Sequence, residues 1–409
     1  MKILLLLSFL LLTIHDSALS QLHYIAGTVK DELGKPLSGV EVFLSGTSRL
    51  AVTDDEGSFN IARLSTGNYE LVAKLLGRET YTANFTLSKP SSLNIILKLK
   101  SRDLAEVVIR AERYSDVDYK TFIRTFLGVT PNAAQCKILN PKILNIYRDP
   151  ETKALHVNSG GEFLIISNPA LGYTVNYLLD EFILDHRQQF SMYVGQVLFS
   201  EMKGSASSIS KWNKERNTAY LGSPQHLLNS IYHGNLKPQG FLVRKLLLTP
   251  NKESMTEKEY AIKQDLYKQL LVSKTITKAQ HSDSSRMILK RARLPALTLG
   301  VGADTLEANA IIADHSGSNK QLNLSEPLHI LYLREEPSER YHTVRQIEGT
   351  KKTDSQYQTS TVASRQGFLP ISDSSGNLLN PLSVIFDGYM GWERVAEMLP
   401  KDFNYKEVK

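Results

Sequence analysis

Two stretches, PLSGVEVFL at residues 36–44 and TDDEGSFNI at residues 53–61, decide the fold of the amino-terminal part of the chain. In both, short apolar runs alternate with polar residues and are interrupted by Gly, Pro or Asp. Alternation with period two, broken by turn residues about every eight to twelve positions, is typical of a small antiparallel β-sandwich. We therefore predict a β-sandwich of about seven strands in residues 21–100, folding as a unit.

The acidic run Asp54-Asp55-Glu56 lies directly before Gly57 in this pattern. Asp side chains accept hydrogen bonds from the backbone that follows them, and Gly takes positive φ readily, so the run predicts a tight turn. Pro36 lacks a backbone donor and is expected in the preceding turn, outside any central strand. The acidic run could also bind calcium, but turn chemistry explains it without a metal.

Residues 24–100 resemble the carboxypeptidase regulatory-like domain, a prealbumin-type, Ig-like sandwich found at the surfaces of Bacteroidetes-like bacteria. The resemblance implies an exported protein of Bacteroidetes type in which this module is an accessory without its own chemistry. Residues 104–109, LAEVVI, are similar to the segment that links this module to the plug domain in outer-membrane transporters. The remaining residues are too few for a plug and a barrel, so a transporter is not expected.

The first twenty residues predict export. Lys2 precedes a Leu-rich run from Ile3 to Ile14, and the small residues of Ala18-Leu19-Ser20 suit cleavage before Gln21, as in a secretory signal peptide. No Cys lies near this site, so a lipoprotein is not expected, and no later run reaches the roughly twenty apolar residues of a transmembrane helix. We expect a location in the periplasm or at the outer membrane. The formal net charge is +6, but export excludes nucleic acid as a partner.

Beyond the sandwich we predict a linker strand at residues 101–113, a larger antiparallel-sheet domain with a few helices at 114–400, and a tail at 401–409. The whole chain is therefore expected to be mainly β. A helix containing Phe122 and Phe126 should end at Gly128, and a second should begin at Ser223-Pro224 and end at Gly234. Strands are expected between these helices and again after Leu294. The region 388–400 is predicted to end the fold as a short helix, stopped by Pro400, that buries Trp392, Val395 and Leu399.

A basic helical insert is predicted around residues 244–293, a segment that contains twelve Lys and Arg but only five Asp and Glu. Ser254 and Glu257 have the spacing of a capping box, with a helix running to about Val272. Such lysines can simply solvate a surface helix. The alternative is contact with anionic lipid head groups or an acidic polysaccharide.

A search for catalytic motifs predicts no catalytic residue, no metal and no cofactor. None of the ten histidines is followed by Glu three positions later, so the zinc-binding pair of a metallocarboxypeptidase is missing. Nor does the sequence contain a serine-hydrolase or nucleotide-binding motif. The single cysteine, Cys136, is expected to be a buried apolar residue. We therefore expect no zinc-dependent carboxypeptidase activity.

The densest group of polar and aromatic residues comprises Trp212, Arg216, Tyr220 and His226. The first three share one helical face, because they are four residues apart. They could form a stacking and hydrogen-bonding platform for a sugar or peptide, or an Arg packed among aromatic rings could join the helices to the sheet.

Two hypotheses on function follow. The first is a non-catalytic envelope protein with a binding or structural role, recognising a polysaccharide, a peptide or another envelope protein. The alternative is a hydrolase, glycosidase-like or peptidase-like, whose site is assembled within residues 114–400. The oligomeric state is not predicted.

Overall fold

The computed structural model describes residues 22–100, 115–186, 190–251, 297–347 and 355–405, together with scattered positions between 254 and 291. Strands predominate over helices, which confirms the predicted mainly β fold. The predicted signal peptide and linker strand lie outside the described residues. Within the described part of the chain, no helix is long and apolar enough to span a membrane.

The amino-terminal unit is a two-sheet sandwich of seven strands. One sheet has the order β4-β1-β7 and the other β3-β2-β5-β6, and every pair is antiparallel except β1 with β7. Ile25, Val42 and Leu71 are fully buried between the sheets. The strands are β1 (His23–Lys30), β2 (Glu41–Leu44), β3 (Leu50–Val52), β4 (Ser58–Leu64), β5 (Gly67–Lys74), β6 (Tyr81–Leu87) and β7 (Ser91–Ile96).

The predicted acidic turn forms between β3 and β4. Asp54 accepts a hydrogen bond from the backbone N–H of Ser58 at 2.7 Å, and Asp55 accepts one from the hydroxyl of Ser38 at 3.0 Å. Gly57 has φ +73°, the left-handed conformation that glycine adopts without strain. These carboxylates therefore serve the turn, as expected.

The central unit is a six-stranded sheet covered by a helix. Its longest strands, β12 and β13, pair over their whole length. On the other edge of β12, β11 pairs with the first half of the strand and β10 with the second half. Phe122 and Phe126 of α1 pack on Phe182 and Tyr177 in a fully buried aromatic cluster. The elements are α1 (Asp116–Phe126), β8 (Lys137–Ile138), β9 (Asn145–Arg148), β10 (Leu155–Asn158), β11 (Phe163–Asn168), β12 (Tyr173–Asp185) and β13 (Phe190–Glu201).

Two helices lead from the central sheet into the third unit: α2 (Ala206–Tyr220) and α3 (Pro224–His233). As predicted, Ser223 caps α3 by accepting a hydrogen bond from the backbone N–H of His226, and Gly234 ends it with φ +70°. Leu227, Leu228 and Ile231 of α3 pack on the third unit's sheet.

The third unit contains a five-stranded sheet of order β15-β14-β18-β19-β21 and a smaller one of order β16-β17-β20. Its elements are β14 (Phe241–Pro250), β15 (Leu297–Thr305), α4 (Ala308–Ile311), β16 (Ile312–Ser316), β17 (Asn319–Leu322), β18 (Leu328–Tyr332), α5 (Glu339–Ile347), β19 (Gln358–Ser364), β20 (Ile371–Ser372), β21 (Val384–Gly388) and α6 (Tyr389–Trp392). Sequence reasoning missed β16, β17 and α5, because they are short or polar and lack a clear apolar period.

The structure corrects the start of the basic insert. Residues 244–250 belong to β14, so the insert begins later than predicted. A capping box is formed by Thr256 and Glu259: the Glu259 carboxylate accepts from the backbone N–H of Thr256, and the Thr256 hydroxyl accepts from that of Glu259. Glu257 of the predicted capping box lies outside the described residues. The predicted end near Val272 lies outside the described residues.

The carboxyl-terminal region also differs from the prediction. The helix α6 has only four residues and a separate 3-10 turn follows at Val395–Glu397, because Arg394 between them is extended. Val395 is buried, but Trp392 and Leu399 are only partly buried. Residues 401–405 are not a tail: Lys401 donates its backbone N–H to Gly46 and accepts from the side chain of Gln225.

The sandwich is fastened to both other units. Two backbone hydrogen bonds join the loop after β2 to strand β13: Gly46 donates its N–H to the carbonyl of Val197, and Phe199 donates its N–H to the carbonyl of Thr47. In addition, Phe43 packs on Phe163 with ring centres 5.7 Å apart. On the other side, the buried carboxylate of Asp373 accepts from the backbone N–H of Asn68 at 2.7 Å. These contacts hold the three units in one arrangement.

Candidate functional site

Arg216 of the predicted binding group is buried and forms hydrogen bonds between α2 and the turn before β12. Its Nε donates to the carbonyl of Leu171 at 2.8 Å and its Nη2 to the carbonyl of Gly172 at 3.3 Å, while Nη1 contacts a carboxylate oxygen of Glu201 at 3.0 Å. The guanidinium carbon lies 3.9 Å from the ring centre of Tyr173, a cation–π distance. Arg216 thus ties α2 to the turn before β12.

Trp212 lies one turn earlier on α2 and is also engaged. Its indole N–H donates to the carbonyl of Pro169 at 2.9 Å. The ring covers Gly172, where a Cβ atom would lie 2.2 Å from it, so any other residue at Gly172 would push the indole away. The indole is therefore used in packing the helix on the sheet.

Tyr220 and His226 lie at the junction of α2 and α3. Tyr220 stacks on Tyr405 with ring centres 5.1 Å apart. The Nδ1 atom of His226 accepts a hydrogen bond from the backbone N–H of Gly222, and its Nε2 atom lies 3.1 Å from Oε1 of Gln239. These two partners fit a neutral imidazole ring that carries its proton on Nε2. Burial lowers the pKa of His226 to about 4, so the ring stays neutral at physiological pH.

Tyr220 and His226 meet with ring centres 5.0 Å apart, but Arg216, Tyr220 and His226 are all buried, so the four side chains do not form an open platform. Of the four, Arg216 alone lines a described cleft, of about 180 Å³, together with Tyr173, Glu201, Asp402 and Phe403. We call this the Arg216 cleft. Because each of the three guanidinium nitrogens of Arg216 already has an acceptor, the geometry supports the packing interpretation of the group.

A second cleft, of about 150 Å³, lies between the end of α1, helix α5 and the turn from β21 into α6. We call it the Arg124 cleft. Its charged side chains are Arg124, Asp387 and Arg394, and its aromatic side chains are Tyr341 and Trp392. The sequence did not indicate this site, because its members come from three separate regions of the chain.

The aromatic side of the Arg124 cleft is a triangle of rings. Tyr341, Tyr389 and Trp392 lie with ring centres 5.1 to 5.4 Å apart. The indole Nε1 of Trp392 is buried and has no hydrogen-bond acceptor among the described residues. A buried donor without a partner costs free energy, so an acceptor from a ligand or water would be favoured there.

Two glycines let the backbone form this cleft. Gly128, with φ +97°, ends α1 where a Cβ would lie 3.2 Å from the Cβ of Arg394, so the helix end and Arg394 approach closely. Gly388, with φ +74°, turns β21 directly into α6, and a Cβ there would lie 2.5 Å from the carbonyl oxygen of Thr359. Both positions require glycine for conformation and space.

Three carboxylates near this region have raised pKa values. Burial, with repulsion from Glu397 and Glu335, raises the pKa of Glu393 well above its usual range. Burial also raises the pKa of Glu397, although hydrogen bonds from Thr130 and Asn132 partly oppose it. Burial likewise raises the pKa of Glu335, which accepts from Gln358 at 3.1 Å. None of these carboxylates lines either of the two clefts described above.

In the part of the chain that the structure describes, Cys136 and His156 are the remaining candidates for a reactive side chain, and neither is in a catalytic arrangement. Burial raises the pKa of Cys136 to about 12, so its thiol is protonated and unreactive. His156 lies 3.4 Å from Glu181, but the ring stacks on Tyr147 and lines neither cleft. Over the described residues, no three His, Cys, Asp or Glu side chains are grouped so that they could hold a metal ion.

Residues 25–109 match the CarboxypepD_reg-like domain family, which confirms the resemblance recognised in the sequence. The match covers the sandwich and leaves the other two units unassigned. No curated protein matches the chain.

Several solved structures are similar to this chain. A cohesin–X-dockerin complex from Acetivibrio cellulolyticus is 22% identical, over 19% of this chain and 58% of that one, with a TM-score of 0.18. A DUF3823 family protein from Bacteroides ovatus is 12% identical, over 45% of this chain and 83% of that one, with a TM-score of 0.16. A protein of unknown function from Bacteroides fragilis is 9% identical, over 90% and 93% of the two chains, with a TM-score of 0.17. The chain thus spans less than two thirds of the cohesin–dockerin chain, and these TM-scores assign no function.

Proposed function

We propose that the protein is an exported, non-catalytic binding protein of the bacterial cell envelope, and that the Arg124 cleft binds one carboxylate-bearing residue of an acidic polysaccharide. The observation that carries the proposal is the set of donors in this cleft. The buried indole N–H of Trp392 has no acceptor, and Arg124 forms no ion pair, among the described residues. Arg394, whose guanidinium also donates to the hydroxyl of Tyr193, adds a second positive charge to the same cleft.

The ligand class follows from the chemistry of these groups. Guanidinium groups recognise carboxylates through paired, charge-assisted hydrogen bonds. The exposed carboxylate of Asp387 is an acceptor for hydroxyl groups on the same ligand. The cleft, at about 150 Å³, is smaller than pockets for drug-sized molecules, which are roughly 300–1,000 Å³. It therefore suits a single sugar-sized residue of a longer polymer.

A binding role is favoured over hydrolysis by the position of the acidic groups. A glycosidase needs two carboxylates facing the same bond, one of them with a raised pKa. Glu393 and Glu397 have raised pKa values, but neither lines a described cleft, and Glu397 is held by Asn132 at 2.8 Å. The lining of the Arg124 cleft includes a single carboxylate, Asp387. The Arg216 cleft has two, but Glu201 forms an ion pair with Arg216 and Asp402 forms one with Arg49.

The test is titration calorimetry of the purified chain from Gln21 onward with an oligomer of galacturonic acid and, in parallel, with the neutral galactose oligomer. We expect binding of the acidic oligomer only, weakened about tenfold or more by Arg124→Ala, since a charged hydrogen bond contributes roughly 1.5–3 kcal/mol. Arg340→Ala is the matched control, because Arg340 is exposed on α5 and does not line the cleft.

Four results would contradict the proposal. Equal affinity for the neutral oligomer would remove the role of the guanidinium groups, and unchanged affinity in Arg124→Ala would place the site elsewhere. Release of new reducing ends from the oligomer would favour the hydrolase. Binding of an acidic peptide in place of the sugar would change the ligand class.

A further inference from the structure

A row of polar side chains crosses one face of the five-stranded sheet of the third unit. The register places one residue of each strand opposite the next, and opposite residues of an antiparallel pair share a face. In the strand order β15, β14, β18, β19 and β21, these residues are Thr305, Arg244, His329, Thr361 and Asp387. We call them the polar row.

The polar row lies on the face of the sheet that points away from the core. Val243, Ile330 and Val362 are the direct chain neighbours of three members of the row, and each is buried in the core of the third unit. Successive side chains of a strand point to opposite faces, so the row lies on the other face. Thr305 and Asp387 at its ends are exposed, and the three residues between them are half-buried.

Two neighbouring side chains in the row have buried polar atoms without a partner. The Nε atom of Arg244 and the Nδ1 atom of His329 are buried, and neither has a hydrogen-bond partner among the described residues. In the same part of the chain, Arg244 belongs to no ion pair. Removing a guanidinium from water without a counter-charge costs free energy, so the carboxylate of a ligand would be favoured beside it.

His329 complements Arg244 as a neutral group. Burial, together with the positive charge of Arg244, lowers the pKa of His329, so its ring is neutral at physiological pH. A neutral imidazole has one nitrogen that donates and one that accepts a hydrogen bond, and a hydroxyl group can bind to either. The pair therefore suits a ligand that carries a carboxylate and a hydroxyl group, as a uronic acid does.

The polar row leads into the Arg124 cleft. Asp387 is the last residue of the row and also lines that cleft. Neighbouring strands lie about 4.8 Å apart, so the three steps from β21 to β14 place Arg244 roughly 14 Å from Asp387 across the sheet. This distance is longer than one sugar residue, but an oligomer held in the cleft can cover it.

We propose that Arg244 and His329 form a second subsite, which binds the carboxylate and a hydroxyl group of a further residue of the acidic polysaccharide held in the Arg124 cleft. This inference rests on the proposed function of that cleft. Two linked residues of one polymer bind with a gain in affinity, because the first residue holds the second at a high effective concentration near its subsite. The affinity should therefore rise with the length of the oligomer.

The test is titration calorimetry of the chain from Gln21 onward with the monomer and with the tetramer of galacturonic acid. The measured quantity is the ratio of the two affinities. In the unaltered chain the tetramer should bind more tightly than the monomer. Arg244→Gln should lower the ratio about tenfold or more, because it removes charge-assisted hydrogen bonds that only the tetramer reaches. Arg124→Ala should instead weaken the binding of both ligands.

The matched control is Lys245→Gln, which removes the same charge from the next residue of β14. Lys245 lies opposite Leu328 of the core, so it belongs to the other face of the sheet, and the ratio should not change. Melting curves check that both variants fold. If Arg244→Gln melts early, Arg244→Lys takes its place: it keeps the charge but not the paired donors, and it should lower the ratio severalfold.

Three results would overturn the second subsite and leave the Arg124 cleft in place: an unchanged ratio in a folded Arg244 variant, an equal fall in Lys245→Gln, or a tetramer that binds the unaltered chain no more tightly than the monomer. Binding of neither ligand would contradict the proposed function and, with it, this inference. Inorganic phosphate that binds the unaltered chain but not Arg244→Gln would identify a phosphate site and overturn the assignment to a sugar.

Discussion

Replacement of Arg216 by Ala tests whether the predicted binding group is structural. The variant leaves the carbonyls of Leu171 and Gly172 without their donor and removes the cation–π contact with Tyr173. A hydrogen bond from a charged group contributes roughly 1.5–3 kcal/mol and a cation–π contact roughly 0.5–2 kcal/mol. The contact with Glu201 adds little, because that carboxylate is 67% exposed and screened by water. Since such contributions are not additive, we expect a loss of about 3–5 kcal/mol in the free energy of unfolding.

Urea unfolding, followed by far-ultraviolet circular dichroism, measures this loss. Arg216→Lys keeps the charge but cannot donate in three fixed directions, so it should recover less than half of the lost stability. Arg124→Ala is the contrasting variant: it removes an exposed guanidinium and should change the free energy of unfolding by less than about 0.5 kcal/mol. If Arg216→Ala unfolds like the unaltered chain, Arg216 does not stabilise the junction and its side chain is free to serve a ligand.

Three further predictions concern stability. The pKa of His226 is lowered to about 4 in the fold, so its contribution to stability is complete above pH about 6.5 and falls by about 3 kcal/mol as the pH drops to 4. His226→Asn should remove that part of the pH dependence, measured by urea unfolding at several pH values; an unchanged pH profile would show that the ring protonates freely. The pKa of Glu393 is raised, so its contribution is complete below pH about 4.5 and is lost as the pH rises. Glu393→Gln should therefore raise the melting temperature at pH 8 but not at pH 4, and an equal gain at both would rule out titration as the cause. Residues 21–100 alone should give a β-type circular dichroism spectrum and a cooperative melt, at a lower temperature than the whole chain because Phe43 loses its contact with the central sheet; a non-cooperative melt would refute an independent sandwich.

The structure separates the predicted binding group from the proposed site. The aromatic group joins α2 to the central sheet through Arg216. Recognition is instead proposed at the cleft formed by Arg124 and Trp392.

Local patterns in the sequence determined most elements that depend on near neighbours. The sandwich strands follow from alternation and turn residues, and the cap of α3 follows from Ser223, Pro224 and Gly234, because a cap is formed within a few positions of the chain. The capping box at Thr256 and Glu259 shows the limit of such reasoning. The sequence contains two overlapping Ser/Thr-x-x-Glu patterns, and the pattern alone did not single out Thr256 and Glu259.

Only the tertiary structure determines which residues far apart in sequence come into contact. Arg124 and Trp392 are far apart in sequence, and they line one cleft because the end of α1 packs against the turn from β21 into α6. Residues 401–405 were predicted to be a tail, but the backbone of Lys401 forms hydrogen bonds with Gly46 and Gln225. Backbone groups at a junction of three units need hydrogen-bond partners, and no local sequence pattern specifies which residues supply them. The sequence by itself thus determined the sandwich, its turns and the caps of the helices. The sites depend on contacts between units, which only the packed chain brings together.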